Sequence, residues 1–279
     1  MLKRAPLLAL AGGMLVCAAS AAAVTKEFRY TVGPGCSVSI VNVSGPVAVR
    51  AVSGPEVVIS VTTHSDQVEI HDTHQGNRIE LRSRVLQRGA DIRVEYDVQV
   101  PPDAVLTIRS GDGPLRASGL TGDVTAQGES AQVELTDLHN AHIRVRTVDG
   151  PVTLQGIRNS YVDVTTVAGK VALAAVSGPT VSVNSGNGPI QYSGDFGGNG
   201  NYALMTHSGN IEVTLPSSAS VDLVARSVTG SVQNEFPFQP KQGSAPAVAG
   251  DHAFAGMLSS GGSSVRLSSF SGTITVKKQ

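Results

Sequence analysis

Two stretches decide the reading: Ile143-Arg-Val-Arg-Thr-Val-Asp-Gly150-Pro-Val-Thr-Leu154 and Val162-Asp-Val-Thr-Thr-Val-Ala-Gly169-Lys-Val-Ala-Leu173. They are one phrase written twice: an alternating strand, a Gly turn and a second short strand. The turn returns at Gly188, Gly209, Gly230 and Gly272. From Gly150 onward the spacings are 19, 19, 21, 21 and 42, and 42 reads as two repeats of 21. Self-similarity at a fixed period is the mark of a solenoid. It favours a rod over a pocketed globule.

Outward from these stretches, the first strand of each coil runs through Leu106, Val124, Ile143, Val162, Val181, Tyr202, Val221 and Val265. The second runs through Leu115, Val133, Val152, Val171, Ile190, Ile211, Val232 and Ile274. Leu120, Leu138, Ile157 and Val176 form a third apolar column. Period two puts the apolar set on one face and the polar set on the other. Stacked coils turn these columns into apolar ladders, with strands about 4.8 Å apart. Val145, Val164 and Val183 are therefore expected one atop the next. Asp-Gly-Pro, Asn-Gly-Pro and Ser-Gly corners supply residues that tolerate positive φ. No helix-period segment follows the first two dozen residues. The fold class is all-β: a β-solenoid, or parallel β-helix-like stack, of about 19–21 residues per coil.

The flanks differ. Residues 24–105 read as strands around Ser44-Gly45-Pro46 and Ser53-Gly54-Pro55, a hairpin whose two arms flank a polar stretch from His71 to Asn77, and a last strand ending at Pro101-Pro102. This block is expected to be a mostly antiparallel N-terminal cap, because a solenoid must cover its first apolar end and its free strand edge. Repeats span 106–235. Residues 236–262, rich in Pro, Gly and Ala and holding Phe236, Phe238 and Phe254, break the rhythm as a flexible excursion or as a loop packed over the last coils. Residues 263–279 are expected to close the stack.

Residues 1–23 read as a signal peptide: Lys3 and Arg4, an apolar run from Leu7 to Cys17, and Ala21-Ala22-Ala23 at the cleavage site. Val16 stands where a lipobox needs a small residue before Cys17, so lipidation is not expected. No later segment holds eighteen consecutive apolar residues, so the mature chain is not expected to span a membrane. The protein is expected outside the cytoplasm, periplasmic or on the cell surface. A net charge of −1 leaves no basic footprint for nucleic acid. Cys36 is the one cysteine after cleavage, which excludes an intrachain disulfide and reads as a small buried residue. Aromatics are 4% of the chain with no Trp, which argues against a sugar-stacking groove.

Candidate chemistry is sparse. His64, His71 and His74 cluster in sequence with Asp66 and Asp72. His71, Asp72 and His74 come nearest to a metal-ligand set, yet no Cys or well-spaced third ligand completes it, so no metal or other cofactor is expected. Asp112, Asp149, Asn187 and Asn210 recur at the Gly corner and read as turn formers, since the nine-residue calcium repeat is absent. The outward column Thr125, Arg144, Asp163 and Ser182 offers a cross-strand ion pair, Arg144 with Asp163. No two carboxylates stack in neighbouring coils there, so glycosidase acid–base chemistry lacks its pair. No Gly-x-Ser-x-Gly opens a helix. No catalytic residue is assigned, and an enzyme is not expected.

Three passages carry a resemblance: Ser-Gly-Asn-Ile-Glu-Val-Thr-Leu-Pro at 208–216, Val-Arg-Leu-Ser-Ser-Phe-Ser-Gly-Thr-Ile-Thr-Val at 265–276, and Val-Ser-Ile-Val-Asn-Val-Ser-Gly-Pro-Val-Ala-Val at 38–49. They resemble the bacterial "putative adhesin" domain, a family of unknown function found in exported envelope proteins. The resemblance covers nearly the whole mature chain and implies a β-solenoid-like architecture without catalytic residues. With the sequence pattern, it leads us to expect a non-catalytic envelope scaffold, adhesive or structural. Such a scaffold would present a polar Ser/Thr/Asn face to an envelope protein or a polysaccharide, with end-to-end self-association open. The alternative is a polysaccharide-active β-helix enzyme.

Overall fold

A computed structural model describes residues 23–87, 92–239 and 251–279. The signal peptide expected at 1–23 therefore lies outside the described residues except for its last position, as does the 240–250 part of the Pro/Gly/Ala-rich segment. The N-terminal part holds β1 (Val24–Thr31), β2 (Ser37–Asn42), β3 (Val47–Ala51), β4 (Glu56–Thr63), β5 (Val68–Gln75), β6 (Arg78–Val85) and β7 (Val94–Val100). The middle holds β8 (Val105–Ser110), β9 (Leu115–Ser118), β10 (Val124–Gly128), β11 (Val133–Thr136), β12 (His142–Thr147), β13 (Val152–Gln155), β14 (Tyr161–Thr166), β15 (Val171–Ala174), β16 (Thr180–Ser185), β17 (Ile190–Ser193), β18 (Asn201–Thr206) and β19 (Ile211–Leu215). The end holds β20 (Val221–Ser227), β21 (Val232–Asn234), β22 (Ala253–Leu258), β23 (Ser263–Ser269) and β24 (Ile274–Lys278).

Each coil sends its first strand to one sheet and its second to the other. The front sheet runs β22-β20-β23-β18-β16-β14-β12-β10-β8-β2-β6-β5, and the back sheet β1-β4-β7-β3-β9-β11-β13-β15-β17-β19-β24-β21. The middle pairings are parallel and in register: Val145 lies beside Val164, and Val164 beside Val183. The inward residues of both sheets, with Leu120, Leu138, Ile157 and Val176, are buried in one continuous core. Each fully buried Val, Leu or Ile contributes about 1.5–3 kcal/mol, and adjacent coils share the same columns.

The corner glycines correct the expectation based on φ. Gly150, Gly169, Gly188, Gly209, Gly230 and Gly272 are not among the positive-φ glycines. They are there for space. A Cβ on Gly169 would lie 2.0 Å from the Gly150 carbonyl oxygen, and one on Gly188 would lie 2.0 Å from that of Gly169. Backbone stacks on backbone at this corner, and any side chain would part the coils. In the first coils the same corner does take positive φ, at Gly45 (107°) and Gly113 (88°); beyond them the left-handed conformation occurs at the other corner, in the column Gly119, Asp137, Gly156 and Ala175, with φ of 74°, 54°, 67° and 52°.

Three residues before each corner glycine, a buried hydroxyl completes the turn. The glycine N–H donates to Thr147, Thr166, Thr206, Ser227 or Ser269 at 2.8–3.1 Å. Three of these hydroxyls in turn donate to the glycine carbonyl of the coil beneath: Thr206 to Gly188 (3.3 Å), Ser269 to Gly209 (3.2 Å) and Ser227 to Gly272 (2.7 Å). One coil inverts the pair. Gly128 stands at the hydroxyl position and Ala131 at the glycine position, and a Cβ on Gly128 would lie 2.4 Å from the Ala131 methyl.

Those hydroxyl bonds also report the stacking order, which departs from chain order at both ends. β23 lies between β18 and β20, and β24 between β19 and β21. The final coil is thus second from the end. The doubled interval between Gly230 and Gly272 is an excursion outward and a return, and the expectation that 263–279 closes the stack is overturned. Leu223, two residues beyond the expected Val221, stacks on Val265. The N-terminal block behaves alike. β1, β4 and β5 make the expected antiparallel pairings. But β2 and β3 pair in parallel with β8 and β9 on one side and with β6 and β7 on the other. Two full coils therefore lie inside the expected cap, whose boundary at 105 takes in the first residue of β8. The 236–262 segment contributes β22, antiparallel to β20, while Phe236, Phe238 and Phe254 contact one another over the last coils.

Among the described residues, Tyr96 is the discordant group of the N-terminal core. Its ring is buried and its hydroxyl makes no hydrogen bond of ordinary geometry; the neighbouring Ser83 hydroxyl donates to Asn42 Oδ1 at 2.8 Å. Burial pushes its pKa up to about 12, and burial with the Asp72 carboxylate does the same to Tyr30.

Two stability measurements follow. Thr166→Val strands the buried Gly169 N–H and is expected to cost about 1–3 kcal/mol in urea denaturation, while Ser182→Ala on the outer face stays within about 0.5 kcal/mol. Tyr96→Phe removes an unpaired buried hydroxyl and is expected to be neutral or stabilising by up to about 1 kcal/mol at neutral pH. With folded pKa values raised, the native state holds phenol protons that the unfolded state has released. Stability therefore falls as pH rises from 10 towards 12, and Tyr96→Phe flattens that fall.

Candidate binding face

On a parallel stack the outward residues of successive coils also align. The outer face of the front sheet collects two such columns beside each other. One is the expected Thr125, Arg144, Asp163 and Ser182; the other is Asp123, His142, Tyr161 and Thr180, immediately before the first inward residue of each strand. Together they line an open groove of about 470 Å³. Its floor is the backbone of β12 and β14, so the chain cannot rearrange it without breaking the ladder.

Within the groove polar groups meet from row to row. The His142 backbone N–H donates to Asp123 Oδ1 at 2.8 Å, and His142 Nδ1 lies 3.6 Å from Asp123 Oδ2. The His142 and Tyr161 rings meet edge-on with centroids 4.8 Å apart. Arg144 Nε lies 3.7 Å from Asp163 Oδ2, the ion pair the sequence predicts. Tyr161 is half exposed. The groove offers carboxylate, imidazole, phenol, guanidinium and hydroxyl groups, all reachable from solvent and spaced by about 4.8 Å between rows. Such an array can donate and accept hydrogen bonds along the stack axis. The column through His142 and Tyr161 was missed in the sequence, although its spacing matches that of the column beside it.

The other candidates stand apart from this groove. β5 runs to Gln75, so the hairpin turn is only Gly76-Asn77, and His71, Asp72 and His74 are strand residues. Alternation puts His71 on the opposite face from Asp72 and His74. His71 Nε2 lies 3.1 Å from Glu69 Oε2, His74 Nε2 2.8 Å from the Gly76 carbonyl oxygen, and Asp72 accepts a 3.1 Å bond from the Tyr30 hydroxyl. His64 pairs with Glu95 at 3.2 Å. Among the described residues no three His, Cys, Asp or Glu side chains gather in a metal-sized group. At the glycine corner, Asn187 accepts from Ser208 at 2.7 Å, Asn210 from the Thr273 N–H at 2.9 Å and Asp112 from the Gly45 N–H at 3.3 Å. These side chains tie coil to coil. Cys36 is buried, and burial, with the Asp103 charge second, raises its thiol pKa.

The family model for Toastrack DUF4097 matches residues 39–277. The chain belongs to this family. The match takes in every coil and ends in the wedged C-terminal one. A crystal structure of a "putative cell adhesion protein" from Clostridium sporogenes ATCC 15579 superposes with a TM-score of 0.33 at 14% identity, covering 92% of this chain and 100% of that one. No curated protein matches the chain. Among the described residues no helix is long and apolar enough to cross a membrane.

The Arg144–Asp163 pair is solvent-exposed on both sides. A double-mutant cycle with Arg144→Ala and Asp163→Ala, read by urea denaturation, is expected to give a coupling of about 0.2–1 kcal/mol. A larger value would assign the pair a structural role and remove it from the free binding surface.

Proposed function

We propose that this Toastrack protein is an exported, non-catalytic scaffold of the cell envelope. In this reading the outer face of its front sheet binds an extended polar polymer, a glycan strand of the wall before an envelope protein. One observation carries the proposal: two chemically varied columns, Asp123-His142-Tyr161-Thr180 and Thr125-Arg144-Asp163-Ser182, stand side by side over four successive coils. A polymer lying along the stack axis would meet a fresh pair of groups at each row. The face is already ordered, so binding loses little conformational entropy and weak polar contacts add up. The chain is poor in aromatics, so stacking is a minor part of this reading, but the half-exposed Tyr161 gives the groove a ring surface suited to the apolar side of a sugar. Short corners support the scaffold reading over the enzyme reading. A β-helix enzyme needs walls around its cleft, and the connections from β9 to β16 are only four or five residues long.

Co-sedimentation of the purified protein with isolated cell-wall sacculi tests this. The wild-type chain is expected in the pellet, and Tyr161→Ala/Arg144→Ala is expected to bind about tenfold more weakly, a loss of about 1.4 kcal/mol. Equal retention of both forms, or retention of neither, overturns the reading. Appearance of new reducing ends in the supernatant would replace it with the polysaccharide-active enzyme.

A further inference from the structure

The C-terminal coil occupies a slot that the rest of the chain has already built. β23 hydrogen-bonds to β18 on one edge and β20 on the other, and β24 to β19 and β21. Its inward residues Val265, Leu267, Ile274 and Val276 are buried in the common core. On the outside Phe270 stacks on His207, with centroids 5.0 Å apart and rings 6° from parallel. Every strand partner of this coil therefore belongs to an earlier part of the chain. Without it, the slot would present four strand edges and the apolar ladders of two coils.

The tether is short and bent. β22 ends at Leu258 and β23 begins at Ser263, leaving Ser259-Ser260-Gly261-Gly262 to cross over β20. β22 and β23 flank β20, so the crossing covers about 9.6 Å, two strand spacings. Four residues reach about 13–14 Å when extended. In the closed form Ser259 sits at φ 57° and Gly261 at φ 71°. A serine in the left-handed region is strained, and straightening the tether would release it. A terminal element with self-contained contacts, joined through a short strained hinge, has the makings of a domain swap.

We propose that the slot between β18–β19 and β20–β21 is a binding site for a second copy of this chain, which fills it with its own β23–β24 coil. The swapped coil makes the same backbone bonds, core contacts and Phe270–His207 stack as the native one, so only the hinge distinguishes the two forms. End-to-end stacking is the less favoured route to self-association. The free edges at the N-terminal end are β1, which carries Lys26, Glu27 and Arg29, and β5, which carries Glu69, His71, Asp72 and His74, polar and charged groups of the kind that blunt strand addition. At the other end β22 lies over β20, with Gln239 bonded to Met257 on its far side.

The test uses full-length mature protein in a Cys36→Ala background. Met205 and Ser268 are register partners on the outer face of β18 and β23. Neighbouring strands lie about 4.8 Å apart, within disulfide reach. Chains carrying Met205→Cys alone are mixed with chains carrying Ser268→Cys alone and held at high concentration in urea below the unfolding midpoint. They are then returned to buffer and oxidised. The expected result is a shift from the monomer to the dimer elution position, with a disulfide joining the two kinds of chain. The double variant Met205→Cys/Ser268→Cys, oxidised before the incubation, is expected to stay monomeric because its coil is pinned. Three outcomes overturn the proposal: monomer throughout, dimers lacking the mixed disulfide, or dimerisation of the pinned variant. A Met205→Cys and Thr107→Cys mixture reports random collision; cross-linking there to the same extent also overturns it.

Discussion

The contact on which the rest of this molecule depends is the glycine corner, where the backbone of one coil rests on the carbonyl of the coil beneath. A hypothetical Cβ there would lie 1.7–2.3 Å from the oxygen below, from Gly150 over Ala131 up to Gly230 over Gly272. Nothing larger than hydrogen fits. The contact sets the vertical spacing at one corner, and the parallel ladders set it along both sheets. Once both are fixed, no coil can slip by a residue without driving a Cβ into a carbonyl. The buried Thr or Ser three residues earlier then has a defined place, between the glycine N–H of its own turn and a carbonyl of the next. Register in a sheet is usually held by the apolar pattern alone. Here a steric stop and a polar bridge hold it as well.

Much of this was legible in the sequence because the repeat is written in residue types that only stacking explains. The Val, Ile and Leu columns foretell the core, and Arg144 foretells Asp163. The reason for the glycines was less visible. A recurrent Gly in a turn suggests positive φ, and only neighbouring coils reveal that the space is filled by another backbone. The Ser/Thr column was equally present, at Thr147, Thr166, Ser185 and Thr206, but hydroxyls in a chain rich in Ser and Thr do not stand out until one is seen buried. His71 and His74 were read into a turn because seven polar residues in a row resemble one. The strand there continues because β5 pairs with β6 along its whole length, and an exposed edge hairpin needs no apolar alternation.

Coil order could not be read from spacing. Two coils separated by twice the repeat length look like neighbours with one missing repeat, whether the chain climbs steadily or steps out and returns. Period reports that coils are alike; it does not report who lies on whom. Both ends of this chain step out and return. β2–β3 lie one place in from the N-terminal end of the stack, and β23–β24 one place in from the other. In a simple solenoid the terminal coils are also the chain ends, and fraying starts there. Here β2–β3 and the C-terminal β23–β24 are gripped on two edges by strands from elsewhere in the chain, while β1 lies on the outer edge of the back sheet against β4. The arrangement has a kinetic cost. β20–β21 cannot find their final neighbours until the last residues arrive, so the closing step joins segments far apart in sequence and is slow.

The same geometry separates what is constrained from what is free. Inward positions must be apolar, aliphatic for the most part with Tyr96, Tyr192 and Tyr202 among them, and the corner takes a glycine and a buried hydroxyl except where Gly128 makes room for Ala131. That leaves the outward columns as the only places where neighbouring coils can differ in chemistry at no cost to the stack. They do differ: over four coils the paired columns read Asp and Thr, His and Arg, Tyr and Asp, Thr and Ser. On the back sheet the same four coils read Glu134, Thr153, Ala172 and Gln191 in one column and Thr136, Gln155, Ala174 and Ser193 beside it, with Glu134 paired to Arg116 of the preceding coil at 3.0 Å. Over these four coils the aromatic and cationic side chains stand on the front face, and the back face carries one carboxylate. Packing does not require that asymmetry, because both faces sit on the same ladders. The proposed partner on the front sheet would account for it, since a rigid stack holds the varied groups at fixed heights.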